Sequence, residues 1–384
     1  MARRDTGLYI IFLTTLMAVI GVSLISPAFP RIRDELGLSG GEVGLLVTVF
    51  TVPGIFFSPV VGWGADRWGR KKLLVASLVL FGISGGSIAA MRSFGAIMAL
   101  RFIQGCAAAA LSTISLALIA DLYHGPEQER IMGYNGSVLS IGTASYPAIG
   151  GALAGISWHA PFYVFLLALP LGAYVAAMLE DESAPRGTGV CASSWRNCLT
   201  ARTLLLMMVA IVTFVMLYGS YLTFFPQYLS DEYGLSAAGI GAYLSLMSLS
   251  TAIFSFSAGT IIGKLGRRWP VAMAFIFYTL SFILMGTVRA AAVIPLAVTC
   301  FGVGQGLNLP SLQVMVLDSV PKEMKASASA MYASTLRIGQ SIGPVVMAAC
   351  YGAGSYALVF ACSAALGAVT LVGLAWWART GSRQ

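Results

Sequence analysis

Apolar residues along this chain come in long unbroken runs rather than in the alternating or one-face patterns of a water-soluble fold. The runs cover 8–30, 43–63, 73–91, 94–120, 131–156, 160–179, 203–228, 238–263, 270–288, 291–316, 326–352 and 354–377. At 1.5 Å of rise per residue, each is long enough to cross a hydrocarbon layer of roughly 30 Å. Backbone polar groups in lipid must be paired within their own segment or around a closed barrel. Continuous runs favour the helix over the barrel strand, which alternates. Pro53, Pro59, Pro147, Pro310 and Pro344 fall inside these runs, as membrane helices tolerate. The pattern predicts an all-α integral membrane protein of twelve transmembrane helices.

The most polar interruption is 180–202, which begins Glu180-Asp181-Glu182 and contains Pro185, Gly187 and Gly189. It separates six runs from six, giving an N-terminal half at 1–179, a linker at 180–202 and a C-terminal half at 203–384. The halves align at an offset of 197. Asp34-Glu35-Leu36-Gly37-Leu38-Ser39 matches Asp231-Glu232-Tyr233-Gly234-Leu235-Ser236, Gly69-Arg70-Lys71 matches Gly266-Arg267-Arg268, and Asp121 matches Asp318. Phe29-Pro30 and Gln104-Gly105 recur as Phe225-Pro226 and Gln305-Gly306 within one and four residues of that offset. Such agreement predicts duplication. Parallel six-span repeats are a transporter arrangement, with the substrate site expected near the midplane between the halves.

Composition sharpens this picture. Charged residues make up 10% of the 384 and hydrophobic ones 58%, and the mean hydropathy is +0.83. A soluble domain carries about 25% charged residues. The net charge of +8 does not point to nucleic acid, because the basic residues sit in short clusters between the runs. With the N-terminus inside, seventeen of the 23 Lys and Arg fall in cytoplasmic segments, four (Arg31, Arg33, Arg92, Arg289) fall outside, and Arg101 and Arg337 lie within runs. That bias predicts both termini in the cytoplasm. The first run is long enough to span and shows no small-residue cleavage site, so no removable signal peptide is expected. Four of the six cysteines lie in apolar runs, and Cys191 and Cys198 have a spacing unlike a zinc site. No metal or cofactor is expected.

Between runs two and three the chain reads Gly62-Trp63-Gly64-Ala65-Asp66-Arg67-Trp68-Gly69-Arg70-Lys71-Lys72. Glycines there permit a tight turn and close helix approach, Asp66 can cap a helix or pair with a cation, and the basic run suits an anionic membrane face. The segment resembles the loop 2–3 signature, motif A, of the major facilitator superfamily. The resemblance implies that this loop latches the two halves together on the cytoplasmic side when the protein opens outward, with Gly62, Asp66, Arg67, Gly69, Arg70 and Lys71 as its gating residues and Asp66 as the latch. The copy in the second half is weaker, with Gly263 at the Asp66 position.

Run four carries Leu100-Arg101-Phe102-Ile103-Gln104-Gly105. An arginine inside a span is costly unless it faces a cavity or a partner; the alternative is that Arg101 snorkels outward. The segment is similar to the family's motif B, which implies a part in proton coupling or substrate contact. Run five carries Gly133, Gly142 and Pro147-Ala148-Ile149-Gly150-Gly151. It resembles motif C of the antiporter, or drug-exporter, branch, with Tyr146 in place of the glycine before the proline. Its physical role is packing, since small residues let helices approach. Arg337 in Leu336-Arg337-Ile338-Gly339, ahead of Gly343-Pro344, looks like the second-half counterpart. It needs either a cavity or a backbone partner.

The superfamily fold lines its central cavity with spans 1, 4, 7 and 10, with contributions from 2, 5, 8 and 11. That implies Arg101, Gln104, Tyr218, Tyr221, Gln305, Asn308, Tyr332 and Arg337 as substrate or coupling residues. Every one of the fifteen acids lies away from a predicted helix midpoint. An interior with two arginines and no carboxylate disfavours a lipophilic cation and favours neutral, zwitterionic or anionic substrates. Asp34, Glu35 and Glu42 at the outer rim and Asp66 and Asp121 at the inner rim are the available proton carriers. Gly82-Ile83-Ser84-Gly85-Gly86 fits a nucleophile-elbow pattern but lies within a span. Gly302-Val303-Gly304-Gln305-Gly306 follows no strand, and no nucleotide-binding loop is present. The resemblance covers the whole chain and implies a non-enzymatic, monomeric transporter in a prokaryotic inner membrane. It would export small hydrophobic or amphiphilic molecules by alternating access in exchange for protons. Rival readings are an exporter or facilitator of sugar-like or anionic metabolites without proton antiport, and a non-transporting receptor or intramembrane enzyme.

Overall fold

A computed structural model describes residues 2–179, 200–266, 268–321 and 324–380. Most of the expected linker at 180–202 lies outside the described residues. Twelve helical rods follow one another among those described. They are α1 (Thr6–Leu36), α2 (Gly40–Thr51 continued by Pro53–Trp68), α3 (Arg70–Ala90), α4 (Phe94–Leu122), α5 (Pro126–Ile156), α6 (Ala160–Met178), α7 (Ala201–Tyr233), α8 (Ala237–Leu265), α9 (Arg268–Thr287), α10 (Ala291–Leu317), α11 (Lys325–Gly352) and α12 (Tyr356–Thr380). Ten of these are long and apolar enough to cross a membrane. The remaining two, α5 and α11, are 31 and 28 residues long and occupy the positions of the fifth and eleventh predicted spans.

Several rods outrun the apolar runs that predicted them. The second run stops at residue 63, yet the helix continues to Trp68, a single residue, Gly69 at φ 90°, breaks it, and Arg70 opens the next helix. The expected loop 2–3 is therefore almost wholly helical. Charged residues end a hydrophobic run but do not end a helix, which continues wherever its side chains meet headgroups or water.

Contacts divide the chain into two compact units. The first comprises Met1–Ser39, Leu45–Gly189 and Ser236–Gly241, and the second Gly40–Gly44, Val190–Leu235 and Ala242–Gln384. In the first unit α3 packs on α4 and α6, and α1 on α4 and α5. In the second, α9 packs on α10 and α12, and α7 on α11. The neighbour relations α3–α4, α3–α6 and α1–α5 thus recur six helices later. The backbone repeats as well. Gly37 (φ 63°) and Gly234 (φ 62°) end equivalent helices in the left-handed conformation, and Gly69 (φ 90°) and Gly266 (φ 78°) break the chain at equivalent turns. Both pairs stand at the offset of 197, and both need a residue without a Cβ.

The first helices of the two units depart from regularity in different ways at equivalent places: α1 is interrupted by a turn and a 3-10 segment at Ser26–Ala28, and α7 widens. The middle of α7, Val215–Phe224, is a π-helix. Thr223 Oγ1 donates to the carbonyl of Tyr218, five residues back, at 2.7 Å. Gly219 sits against the backbone of Gly343 in α11, so the widened turn lies at a close approach of two helices. Widened turns of this kind recur at functional sites.

Candidate functional site

In the first unit the buried polar centre is charged. Arg101, in α4, is 0% exposed. Its guanidinium donates to Gln104 Oε1 at 2.7 Å and to the Gly21 carbonyl of α1 at 3.0 Å, and lies 4.9 Å from the centre of the Phe50 ring of α2. Its Nε has no partner. The outward-snorkelling alternative is therefore excluded: this arginine is buried among α1, α2 and α4. Sequence spacing explains half of the arrangement, since residues 101 and 104 are one helical turn apart. The other half depends on bare backbone. A Cβ on Gly21 would overlap the Phe50 ring, and one on Gly85 of α3 would overlap Gln104 Nε2. Gln104 is 0% exposed, and its unpartnered nitrogen rests on Gly85. It holds Arg101 rather than facing outward. Among the described residues no carboxylate pairs with Arg101. A cation without a counter-ion in a dry interior attracts an anion or a ligand acceptor and disfavours a second cation.

In the second unit the cluster around Gln305 and Asn308 is uncharged and aromatic, and a second arginine, Arg337, lies beside Tyr218. Gln305 Oε1 accepts from the Tyr278 hydroxyl of α9 at 2.5 Å, and Asn308 Nδ2 donates to Thr213 Oγ1 of α7 at 2.8 Å. The Asn308 Oδ1, Tyr221 hydroxyl, Tyr332 hydroxyl and Ser311 hydroxyl are buried without partners. Tyr221, on the π-turn, stacks on Phe301 of α10 (4.4 Å between centroids, 15° between planes) and on Phe225 (4.9 Å, 27°). Tyr218 stacks on Phe214 at 5.9 Å and interacts electrostatically with Arg337 of α11. The structure thus gathers Gln305 with Asn308, and Tyr218 with Arg337, within this unit. Buried groups left without partners are unusual in a folded interior and are where a polar ligand or water gains most.

The motif A residues run along the α2–α3 turn. Arg67 lies over the Trp63 ring at 5.4 Å, and Trp63 meets Trp68 edge to face. Arg70 forms an ion pair with Asp121 of α4, two groups read separately from sequence as a loop charge and a proton carrier. Lys71 continues the first turn of α3, and Gly62 faces open space. Asp66 stands in the last turn before Gly69; its side chain lies outside the described residues.

Motif C divides in two. Gly142 lies against Leu16 of α1 and Gly150 against the Leu24 carbonyl, while Gly151 abuts the Ala237 carbonyl of the 236–241 segment in the same unit. Pro147 is buried within α5. Gly133 faces open space. Tyr146, the departure from the motif, donates to the Leu16 carbonyl at 3.2 Å, so it ties α5 to α1 where a glycine would only permit approach. Thr15 and Asn135 join the same two helices by a buried hydrogen bond of 2.8 Å. In α11 the counterpart glycines Gly339 and Gly343 meet the α7 backbone at Ile211 and Val215.

Sequence reasoning missed Phe50, Gly21, Gly85, Thr213, Tyr278 and the π-turn. Tyr278 carried a usable signal, since a tyrosine within an apolar run must find a partner for its hydroxyl. Phe50 and the glycines carried none, because their roles exist only through contacts between distant helices.

Long apolar rods, repeated six-helix packing and a buried arginine define a multi-pass helical membrane protein with polar centres of the kind that transporters carry. The Major Facilitator Superfamily profile matches residues 11–333 and 207–384, and the chain belongs to that family of membrane transporters. A bacillibactin exporter from Bacillus subtilis strain 168 is 30% identical over 352 residues, covering 87% of each chain. Multidrug resistance protein 1 of the same organism is 25% identical over 356 residues, covering 90% of each. Among solved structures, the nucleoside transporter NupG superimposes with a TM-score of 0.82 at 15% identity, over 96% of this chain and 98% of the other. A bacterial homolog of the human lysosomal transporter Spinster also gives 0.82, at 14% identity, over 97% and 95%. At those identities the structural likeness speaks for the fold.

Proposed function

We propose that this protein exports small hydrophobic or amphiphilic molecules by alternating access, in exchange for protons, from a prokaryotic cell across its cytoplasmic membrane. Both termini would lie in the cytoplasm, and a single chain, built from duplicated halves at 1–179 and 203–384, would suffice. The observation that carries the reading is the fully buried Arg101, held by Gln104 and the Gly21 carbonyl with no carboxylate partner among the described residues. Keeping a charge there costs at least a few kcal/mol, which a purely structural role would not sustain. The exporter relatives support the direction of transport. Substrates would be neutral, zwitterionic or anionic. Arg101 would serve substrate contact or coupling, Tyr218, Tyr221, Gln305, Asn308, Tyr332 and Arg337 would serve substrate contact, Gln104 would hold Arg101, and the motif A residues around Asp66 would serve gating.

The test is purified protein in liposomes under an imposed pH gradient with an internal pH dye. Neutral, anionic and cationic amphiphiles and sugars would be added in turn, with Arg101→Ala and Asp66→Asn as controls. Substrate-dependent proton movement, lost in both variants, is expected. Substrate flux with no proton movement would replace the antiporter with a facilitator of sugar-like or anionic metabolites, and binding without flux would replace the transporter with a receptor.

A further inference from the structure

The tryptophans sort by the ends of the rods. Among the described residues the exposed ones are Trp63, Trp68, Trp269 and Trp376. Each stands near a rod end that the charge bias predicts to be cytoplasmic. Trp158, towards the opposite side, is buried and stacks on His159 at 3.8 Å. Two tryptophans of the cytoplasmic side carry an arginine. Arg67 lies 5.4 Å from the centre of the Trp63 ring, four residues along the same helix, and Arg202 of α7 lies 5.8 Å from that of Trp377 in α12. Neither pair is a repeat copy of the other: at the offset of 197, Trp63 and Arg67 correspond to Thr260 and Lys264. The Trp63 pair is the more firmly built. Trp63 and Trp68 meet edge to face, 5.7 Å between centroids. The Trp68 ring also rests on Gly64, where a Cβ would stand 3.2 Å from it. Both indoles are braced in this way and are still 56% and 58% exposed. Arg67 has no hydrogen-bond acceptor among the described residues, and Asp121 is committed to Arg70.

We propose that Trp63, Arg67 and Trp68 at the end of α2 form a seat for the headgroup of an anionic phospholipid in the cytoplasmic leaflet. An indole has an apolar body and one polar N–H, and it settles at headgroup depth. A guanidinium held against a ring still offers its N–H edge, which matches a pair of phosphate oxygens. Lys71 and Lys72 in the first turn of α3 add to the positive field that draws anionic lipid to this face. A free phosphate would satisfy the arginine but gain nothing from two exposed indoles, whereas a lipid brings its glycerol and acyl carbons to them. The inference goes beyond the transport reading and borrows from it only the side of the membrane.

The experiment titrates the full-length protein in detergent with phosphatidylglycerol and, separately, phosphatidylcholine, and counts retained lipid by native mass spectrometry. The wild type is expected to retain phosphatidylglycerol in preference. Arg67→Gln should weaken that retention by about 10-fold or more, the equivalent of a hydrogen bond to a charged group, and leave phosphatidylcholine unchanged. Trp63→Leu keeps the charge and removes the ring, and should weaken it by about two- to fivefold. The control is Lys264→Gln, the same loss of charge at the repeat-equivalent position with no ring beneath it. It should change retention by less than about twofold, because an exposed charge without a seat acts through screening solvent. A Lys264→Gln loss as large as that of Arg67→Gln, with Trp63→Leu harmless, would reduce the effect to diffuse attraction and overturn the proposal. So would inorganic phosphate that displaces phosphatidylglycerol at equal concentration, since the site would then take a free anion. Retention is read without transport, so a protein that binds the lipid as stated and moves no substrate overturns the export reading alone.

Discussion

The two units solve the same packing problem and then diverge at their polar centres. In each, a glutamine on the fourth helix of the repeat accepts a hydrogen bond from a fully buried donor. In the first unit the donor is an arginine from the same helix; in the second it is a tyrosine from the adjacent one. The first centre is charged, and its polar atoms are largely committed to one another. The second sets an uncharged aromatic cluster around Gln305 and Asn308, which keeps several polar atoms unpartnered, beside an arginine, Arg337, that interacts with Tyr218. A charge in a dry interior responds to other charges over many ångströms, whereas neutral dipoles discriminate only at contact distance. Under the proposed function, coupling and charge selection would fall to the surroundings of Arg101, and shape and hydrogen-bond selection to those of Gln305 and Asn308.

The largest expected effect tests that division directly. Arg101→Leu should reduce substrate flux in proteoliposomes by at least about 100-fold, because an interaction with a charged group in a dry site is worth about 1.5–3 kcal/mol per hydrogen bond and two are lost. Arg101→Lys should recover little, since an ammonium cannot reach Gln104 Oε1 and the Gly21 carbonyl together as the planar fork does. Asn308→Ala should weaken binding of particular substrates by about 10-fold and leave others nearly unchanged. If Asn308→Ala abolished all flux and Arg101→Leu altered only selectivity, the assignment of roles would be reversed.

Next in size comes Gln104→Leu. It leaves Arg101 in place with the Gly21 carbonyl as its remaining hydrogen-bond acceptor, so flux should fall by about 10-fold rather than vanish. Gly85→Ala should lower flux at least as far, since the added methyl would overlap Gln104 Nε2 and also crowd Phe165 of α6. Loss of flux in both variants would support Gln104 acting through Arg101. A Gln104→Leu protein with normal flux would remove it from the coupling machinery.

Much of this was legible beforehand. The rods and the repeat follow from run lengths and an offset of 197, and the rarity of arginine in a span singled out Arg101, which the structure buries completely. Helix ends were not, because hydropathy marks where lipid stops and not where hydrogen bonding stops; the turn at Gly69 is the example. Nor was the direction each side chain faces. Gln104 and Gln305 look alike in sequence, yet one bonds an arginine of its own helix and the other a tyrosine of the next. The π-turn of α7 is equally silent, since Val215–Phe224 reads as an ordinary apolar helix.

The smallest effects fall where the units are most alike. Gly150 and Gly343 each meet a neighbouring backbone, the first at Leu24 of α1 and the second at Val215 of α7. A methyl at either place cannot be absorbed by a flexible side chain. Gly150→Ala and Gly343→Ala should each destabilise the protein by about 1–3 kcal/mol, the usual cost of overpacking, and lower its melting temperature in detergent by similar amounts. Gly133→Ala and Gly352→Ala have open space around them and should leave it unchanged or slightly raised, because alanine is the better helix former. The Tyr146→Phe change removes one hydrogen bond between α5 and α1 and should cost about 0.6 kcal/mol, typical of bonds between membrane helices. If Gly150→Ala proved harmless while Gly343→Ala did not, the close α1–α5 crossing would be dispensable and the packing symmetry of the two units would be superficial. Equal losses would mean that the units share their scaffold and differ only in the chemistry mounted on it.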